Sequence, residues 1–570
     1  MKNTTAIVLA YLAVSYASAE ASLSPEATIP SPENIVYQYM TTKTFIPPNR
    51  DSTATVASGS DSHPHVSTGY LWIPPACKKL KGMIVFGDNV PEQWLAGHPA
   101  IRQACTDEDL AIVFTSPTFQ TGYVKDAFGS SLSEAEKAKI NIGHLQEILD
   151  ELAAKSGYPE LSSVPWLPIG ESASLVLVTQ LTQFAPERAI AGIWVQDSFV
   201  GQAMTLVPML GIQGTAADWE FQNFDLFEQW RLMATGAMKG CVAKRTSLPD
   251  CPVSLLVEAG SAHFSCTEVM IQLIARYIRE ACKVRLSPDG SPTLRPVDLN
   301  SGYVAGLPVP SSTPVKPKSY SSCTPAERNL PWYFTREFAQ SAYDLADVNW
   351  NAQTQVPVFL DDAGKVIPFN QRGITDLKPS TEADGITFTV KATYLDKVPA
   401  DFKFKAGSPL THALGTPEVG WLRGPVIPLG NNRFQIAPNR SSGGGDAQPI
   451  LRTISPVDAN YHLSIRPGAV TIPTNVAGKP QTIIFDPIPD QPATAKEIPL
   501  HATSDSGLPV RFYVKLGPAV VHGDKLVLTP ITAKSKMPVE VTVVAWQFGR
   551  ATDPAIQTAP LVEHTFQITN

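Results

Sequence analysis

Val164-Pro165-Trp166-Leu167-Pro168-Ile169-Gly170-Glu171-Ser172-Ala173-Ser174-Leu175-Val176 is the stretch whose reading decides the fold. It opens as a short apolar run, passes through a tight turn of small residues with Ser172 at its apex, and continues as an apolar-rich helix. A strand, a turn and a helix in that order project a serine hydroxyl from the end of a sheet, beside the free amides of the new helix. That is the position of a nucleophile. Ser174 stands where the G-x-S-x-G form of such a turn has glycine, and Glu171 can either alter the local pKa or face solvent.

Outward from this turn, apolar runs alternate with helical patterns from about residue 66 to 285, the signature of a largely parallel sheet covered by helices. Strands are expected at Gly82–Phe86, Leu110–Thr115, Val164–Ile169, Ala189–Val195, Val207–Gln213 and Val253–Val257. The clearest helix begins with a capping box, Ser133 to Glu136, carries Leu145, Ile148, Leu149 and Leu152 on one face, and stops at Gly157. Further helices are expected from Asn223 to Gly240 and from Cys266 to Val284.

A serine nucleophile needs a base, an acid to orient that base, and donors for the oxyanion. On a doubly wound sheet they follow in the order serine, acid, histidine. Between Ser172 and residue 411 there is one histidine, His263, placed after the strand ending near Val257 and the Gly260 turn. The acid is expected on the loop opened by Gly214, with Asp218 the first choice, Glu220 the second and Asp197, after the preceding strand, a distant third. Oxyanion donors are expected from the Ala173 amide and from the Gly87-Asp88-Asn89 turn, with a weaker side-chain role for Asn89. No H-E-x-x-H, Walker loop or strand-linked G-x-G-x-x-G occurs, so no metal, nucleotide or flavin cofactor is expected.

Length and termini set the wider frame. The chain has 570 residues, 43% of them apolar, enough for several cores. Lys2, the apolar run Ala6 to Val14 and Ala17-Ser18-Ala19 read as a leader over residues 1–19, cleaved after Ala19 and directing the protein to the periplasm or outside the cell. No later run approaches the roughly 20 apolar residues of a membrane span. A net charge of -7 argues against a generally basic surface for nucleic acid. All seven cysteines precede residue 330, and export permits disulfides; Cys241 and Cys251, bracketing a short polar stretch, are the favoured pair.

Residues 20–65 read as an extended lead-in, 286–329 as a Pro/Ser-rich linker or belt, 330–474 as a β-rich block with a helix at Thr335–Asp347, and 475–570 as a further β-rich block. Strand patterns at Ile386–Val390 and Val539–Val543 carry that reading, and Gly443-Gly444-Gly445 reads as a loop tip.

Residues 70 to 285 resemble secreted bacterial α/β-hydrolases of the carbohydrate-esterase kind, through the serine elbow, the strand order, His263-Phe264 before the closing helix, and Asn89, Glu92 and His98-Pro99 after the early strand. The resemblance implies an α/β fold with a doubly wound, mostly parallel sheet, and a serine esterase that forms an acyl-enzyme at Ser172. Asp218 or Glu220 and His263 would complete the triad, on an acylated polysaccharide or related ester. The last block, with Gln481–Phe485, Ser506–Val510, Val541–Gln547 and Phe566–Ile568, resembles bacterial immunoglobulin-like β-sandwich repeats, which implies a spacer or a surface for glycans or cells. Two other readings remain open from sequence: an inactive hydrolase fold that binds glycans through its β-domains, and a serine peptidase on the same scaffold.

Overall fold

The six apolar runs form the parallel part of one eight-stranded sheet, because strands covered by helices on both faces must be apolar throughout. A computed structural model of the chain describes residues 35–45, 65–116, 132–196, 206–216, 223–265, 267–370, 373–440, 448–472 and 474–570. The leader, Asp197, Asp218, Glu220, Cys266 and the 443–445 loop tip lie outside the described residues.

The strands are β1 (Tyr39–Phe45), β2 (His65–Trp72), β3 (Gly82–Gly87), β4 (Leu110–Ser116), β5 (Trp166–Glu171), β6 (Gly192–Val195), β7 (Met209–Gly214) and β8 (Val253–Glu258). Their order across the sheet is β1-β2-β4-β3-β5-β6-β7-β8. β2 runs antiparallel to both of its neighbours, and from β4 onward all pairs are parallel. β1 comes from the lead-in, whose Ser/Thr/Pro texture concealed an edge strand. With β5 inside the sheet and a serine at its carboxyl end, this is an α/β-hydrolase fold.

The helices are α1 (Glu92–Leu95), α2 (Pro99–Asp107), α3 (Glu134–Ser156), α4 (Leu175–Phe184), α5 (Gln229–Ser247), α6 (Glu268–Arg285) and α7 (Arg336–Ala346). α3 has the expected capping box, buries Leu145, Ile148, Leu149 and Leu152, and stops at Gly157 with φ of 80°. Each of those apolar side chains contributes about 1.5–3 kcal/mol by leaving water.

α5 starts and ends later than its expected span, and this overturns the expected disulfide. The stretch after Cys241 is helix through Ser247 rather than loop, so Cys241 lies within a helix and Cys251 just before β8. Both are buried thiols not joined in a disulfide, as are the other four described cysteines. Arg245, buried in the last turn of α5, donates to the carbonyls of Cys251 and Arg328 and ties the helix end down.

Residues 286–334 lie against the domain. Ser254 Oγ donates to the Trp332 carbonyl at 2.6 Å, and Tyr333 Oη to that of Leu255 at 2.8 Å. Beyond α7, Thr375–Leu377, Ile465–Val470, Ile450–Ile454 and Glu418–Arg423 form a four-stranded sheet, and Thr387–Thr389, Arg433–Ile436 and Val426–Gly430 a three-stranded one. In the last block, Gln491–Pro492, Val562–Thr569, Val539–Trp546 and Arg511–Leu516 form four strands, and Ile498–Pro499, Lys525–Leu528 and Ala519–His522 three. Its 532–535 turn docks on the hydrolase domain, where Tyr39 Oη lies 2.6 Å from Ser535 Oγ and the Lys534 amide donates to Tyr158 Oη at 3.2 Å.

The middle block packs on the loops at the carboxyl edge of the sheet. Gly260 has φ of 84°, and a Cβ there would collide with the Leu463 carbonyl. Gly260→Ala should therefore lose both conformational fit and space, and its unfolding free energy in urea should fall by more than the roughly 1–3 kcal/mol of a non-glycine residue in this region. Gly364→Ala, with φ of 82° but open surroundings, should show only the conformational part.

Candidate active site

At the end of β5 the chain turns sharply through Ser172–Ser174 and enters α4. Ser172 has φ of 46°, a conformation that β-carbon sterics disfavour for any residue but glycine. Such strain is found where the surrounding structure over-determines a functional residue. Gly170 makes the turn possible, since a Cβ there would lie 2.5 Å from the Ser174 carbonyl oxygen. The close approach usually granted by glycine after the serine is thus supplied by glycine before it. Ser174 is fully buried, and its hydroxyl lies beside the Glu92 carboxyl, which it helps to ionise.

Glu171 does not face solvent. It is fully buried, and its Oε1 lies 3.0 Å from Nε2 of His263, whose side chain is 22% exposed. Asn89 donates from one amide nitrogen to the Glu171 carbonyl at 2.8 Å and to its Oε2 at 2.6 Å. The Glu171 amide in turn donates to Oε1 of Glu92 at 2.7 Å. Asp88 completes the group, with Gln93 donating to its Oδ1 at 3.1 Å and Ser116 to its Oδ2 at 2.6 Å.

Three buried carboxyl groups in one place do not all ionise at neutral pH. Burial, and secondarily the charge of Asp88, push Glu92 up to about 8, against the pull of the Glu171 amide and Ser174. At pH 7 Glu92 is therefore mainly a neutral acid.

The loop carrying His263 is held from below and from the side. Gln196, just past β6, adopts φ of 56° and accepts the Gly214 amide at 2.5 Å. Its nitrogen donates to Ser261 Oγ at 3.0 Å and to the Ser265 carbonyl at 2.5 Å. Thr215 Oγ1 accepts the Gly260 amide at 2.7 Å, and the Ala216 amide donates to the Ser261 carbonyl at 3.0 Å. The ends of β6 and β7 are thus tied to the two turns around His263. Phe264 meets the imidazole edge-on, with ring centroids 4.8 Å apart.

Of the residues expected from sequence, Ser172, Ala173, Asn89 and His263 converge on the carboxyl end of β5. Asn89 spends its side-chain amide on Glu171. Asp218 and Glu220 lie outside the described residues. Glu92, cited from sequence only for the family resemblance, is a buried support for the Glu171 amide, and Gln196 was missed altogether; its left-handed backbone has no signature in sequence. His98 is structural: it caps α2, and its Nε2 lies 3.2 Å from Glu268 at the start of α6. Among the described residues, no group of three or more His, Cys, Asp or Glu side chains is placed to hold a metal ion.

No protein-family model matches the chain, and no curated protein matches it. Among solved structures it is similar to a cold-adapted esterase from an Arctic intertidal metagenomic library, at 9% identity over 42% of this chain and 93% of that one, with a TM-score of 0.27. It is similar to a siderophore hydrolase, EstA, from Aspergillus nidulans at 9% identity over 43% and 95%, with a TM-score of 0.28. An S-formylglutathione hydrolase from Agrobacterium tumefaciens shows 10% identity over 43% and 94%, with a TM-score of 0.26. At such values the strand order and the elbow remain the ground for the fold.

The proton on Glu92 gives a testable pH dependence. The unfolded chain releases it near 4.5 and the folded chain near 8, so between these values the unfolded state binds fewer protons and stability falls as pH rises. Urea unfolding from pH 5 to pH 8 should show this fall in the wild type, and Glu92→Gln, which mimics the neutral acid, should flatten it.

Proposed function

We propose that this chain is a serine hydrolase of ester bonds that acts through an acyl-enzyme at Ser172. The observation that carries this reading is a strained serine at the carboxyl end of β5, with the imidazole of His263 delivered to the adjacent residue at 3.0 Å. His263 takes the Ser172 proton as Oγ attacks the ester carbonyl, then returns it to the leaving alkoxide; water, activated by the same imidazole, releases the acid. Asp218, or Glu220 in its place, orients the imidazole from the loop after β7. The Ala173 amide and a backbone amide of the Gly87-Asp88-Asn89 turn hold the oxyanion.

The substrate class we propose is an acylated polysaccharide or a related carbohydrate ester, and the place of action the periplasm or the exterior. That choice follows from the leader and the family resemblance of the sequence. The last block would serve as an immunoglobulin-like β-sandwich spacer or glycan-contacting surface. No helix among the described residues is long and apolar enough to cross a membrane.

A fluorophosphonate probe should add once to the wild-type protein, at Ser172, as read by intact mass and peptide mapping. Ser172→Ala should abolish the label and lower kcat/KM for p-nitrophenyl acetate by at least about 10³-fold. Unchanged cleavage in that variant would refute the reading.

A further inference from the structure

Glu171 adjoins the nucleophile, yet neither attack nor proton transfer requires it. A carboxylate wholly removed from water is costly unless its oxygens are paired. Here Oε2 accepts from Asn89 and Oε1 sits 3.0 Å from Nε2 of His263. Asn89 also grips the Glu171 carbonyl, and Glu92 the Glu171 amide, so the residue is fixed at both main-chain polar groups as well as at its side chain. A carboxylate oxygen at 3.0 Å from an imidazole nitrogen is attractive only when that nitrogen carries its proton.

We propose that Glu171 is a positioning residue for the base, whose Oε1 stabilises the Nε2–H of His263 in the imidazolium formed when Ser172 attacks. The inference rests on Ser172 and His263 acting as nucleophile and base. The proton travels from Ser172 Oγ to His263 Nε2 and on to the leaving oxygen; Glu171 neither gains nor loses one. Its contribution is a fixed negative charge beside a positive charge that exists only after proton transfer, which favours the transition state over the ground state. The titratable groups around it are His263 from the loop after β8, Glu92 from α1 and Asp88 from the turn after β3. With Glu92 carrying its proton and Asp88 hydrogen-bonded to Gln93 and Ser116, Glu171 is the anion that faces the imidazole.

Stabilising the imidazolium acts on the chemical steps rather than on substrate binding. With p-nitrophenyl acetate, Glu171→Gln should lower kcat about 10- to 100-fold, and Glu171→Asp, with the charge kept but withdrawn by one methylene, should recover part of that loss, while KM changes little in either. Asn89→Ala, which leaves the carboxylate and removes its tether, should lower kcat by less, and it decides the matter if Glu171→Gln does not fold. An unchanged kcat in Glu171→Gln, or a Glu171→Asp variant no more active than Glu171→Gln, would overturn the proposal. Absence of fluorophosphonate labelling in the wild type would instead overturn the nucleophile and base assignments beneath it, and with them this inference.

Discussion

The end of β5 is governed by one constraint: Glu171, buried at its main chain and its carboxyl group alike, must find a partner for each polar group it takes out of water. The sheet brings them from three directions. Asn89 comes from the turn after β3, the strand paired with β5, and Glu92 from the helix that follows. His263 comes from the loop after β8, three strands away across the sheet. Satisfying Glu171 therefore fixes the relative positions of the Gly87-Asp88-Asn89 turn, Ser172 and His263. A group unpaired there would cost more than an ordinary hydrogen bond contributes, because desolvation of a charge is lost in full.

This constraint extends into the middle block, which on sequence had no readable role. Leu463 lies against Gly260, and Ile465 packs with Ala216 and Ala262, the residues that begin the loop after β7 and precede His263. Leu226 is buried with Val356, Val358, Val398, Phe402 and Leu410, and Thr354 donates to its carbonyl at 2.7 Å. His462 stacks on Trp230 with ring centroids 4.2 Å apart, and burial depresses it to about 4, so it packs as a neutral ring. Lys405 pairs with Asp225 at 3.0 Å. Backbone that would be a mobile surface loop in an isolated domain thus becomes the buried seam between two blocks. The domain boundary in sequence is not a boundary in packing.

Legibility in the sequence followed how local each cause was. The capping box at Ser133 and the Gly157 stop could be read because a cap involves residues three or four apart, and the parallel strands because burial on both faces leaves continuous apolar runs. The elbow was legible for the same reason. β1 was not, since an edge strand reading Tyr39-Met40-Thr41-Thr42-Lys43-Thr44-Phe45 has neither a continuous apolar run nor clear alternation. The end of α5 was misplaced because Gly240 reads as a stop, whereas the helix runs on to Ser247 with buried Arg245 bonding the carbonyls of nearby Cys251 and distant Arg328. Ser174 and Glu171 looked like defects in a motif. They could be understood only with Gly170 pressed on Ser174 and with His263 in place, contacts that no spacing rule encodes.

Among the described residues of the hydrolase domain, Asp109, Ser172 and Gln196 are the non-glycine residues with left-handed backbone, and the last two stand just beyond the carboxyl ends of the adjacent strands β5 and β6. Each such conformation costs on the order of 1–3 kcal/mol, and it persists only where side-chain bonds compensate. For Gln196 the compensation is visible, with three hydrogen bonds reaching Gly214, Ser261 and Ser265. For Ser172 it comes from its neighbours, the bonded Glu171 before it and the tightly packed Ser174 after it. Ser172 can keep this backbone because the residues on either side of it absorb the strain. The acidic cluster behind the elbow is then part of what keeps the serine in an unfavourable conformation.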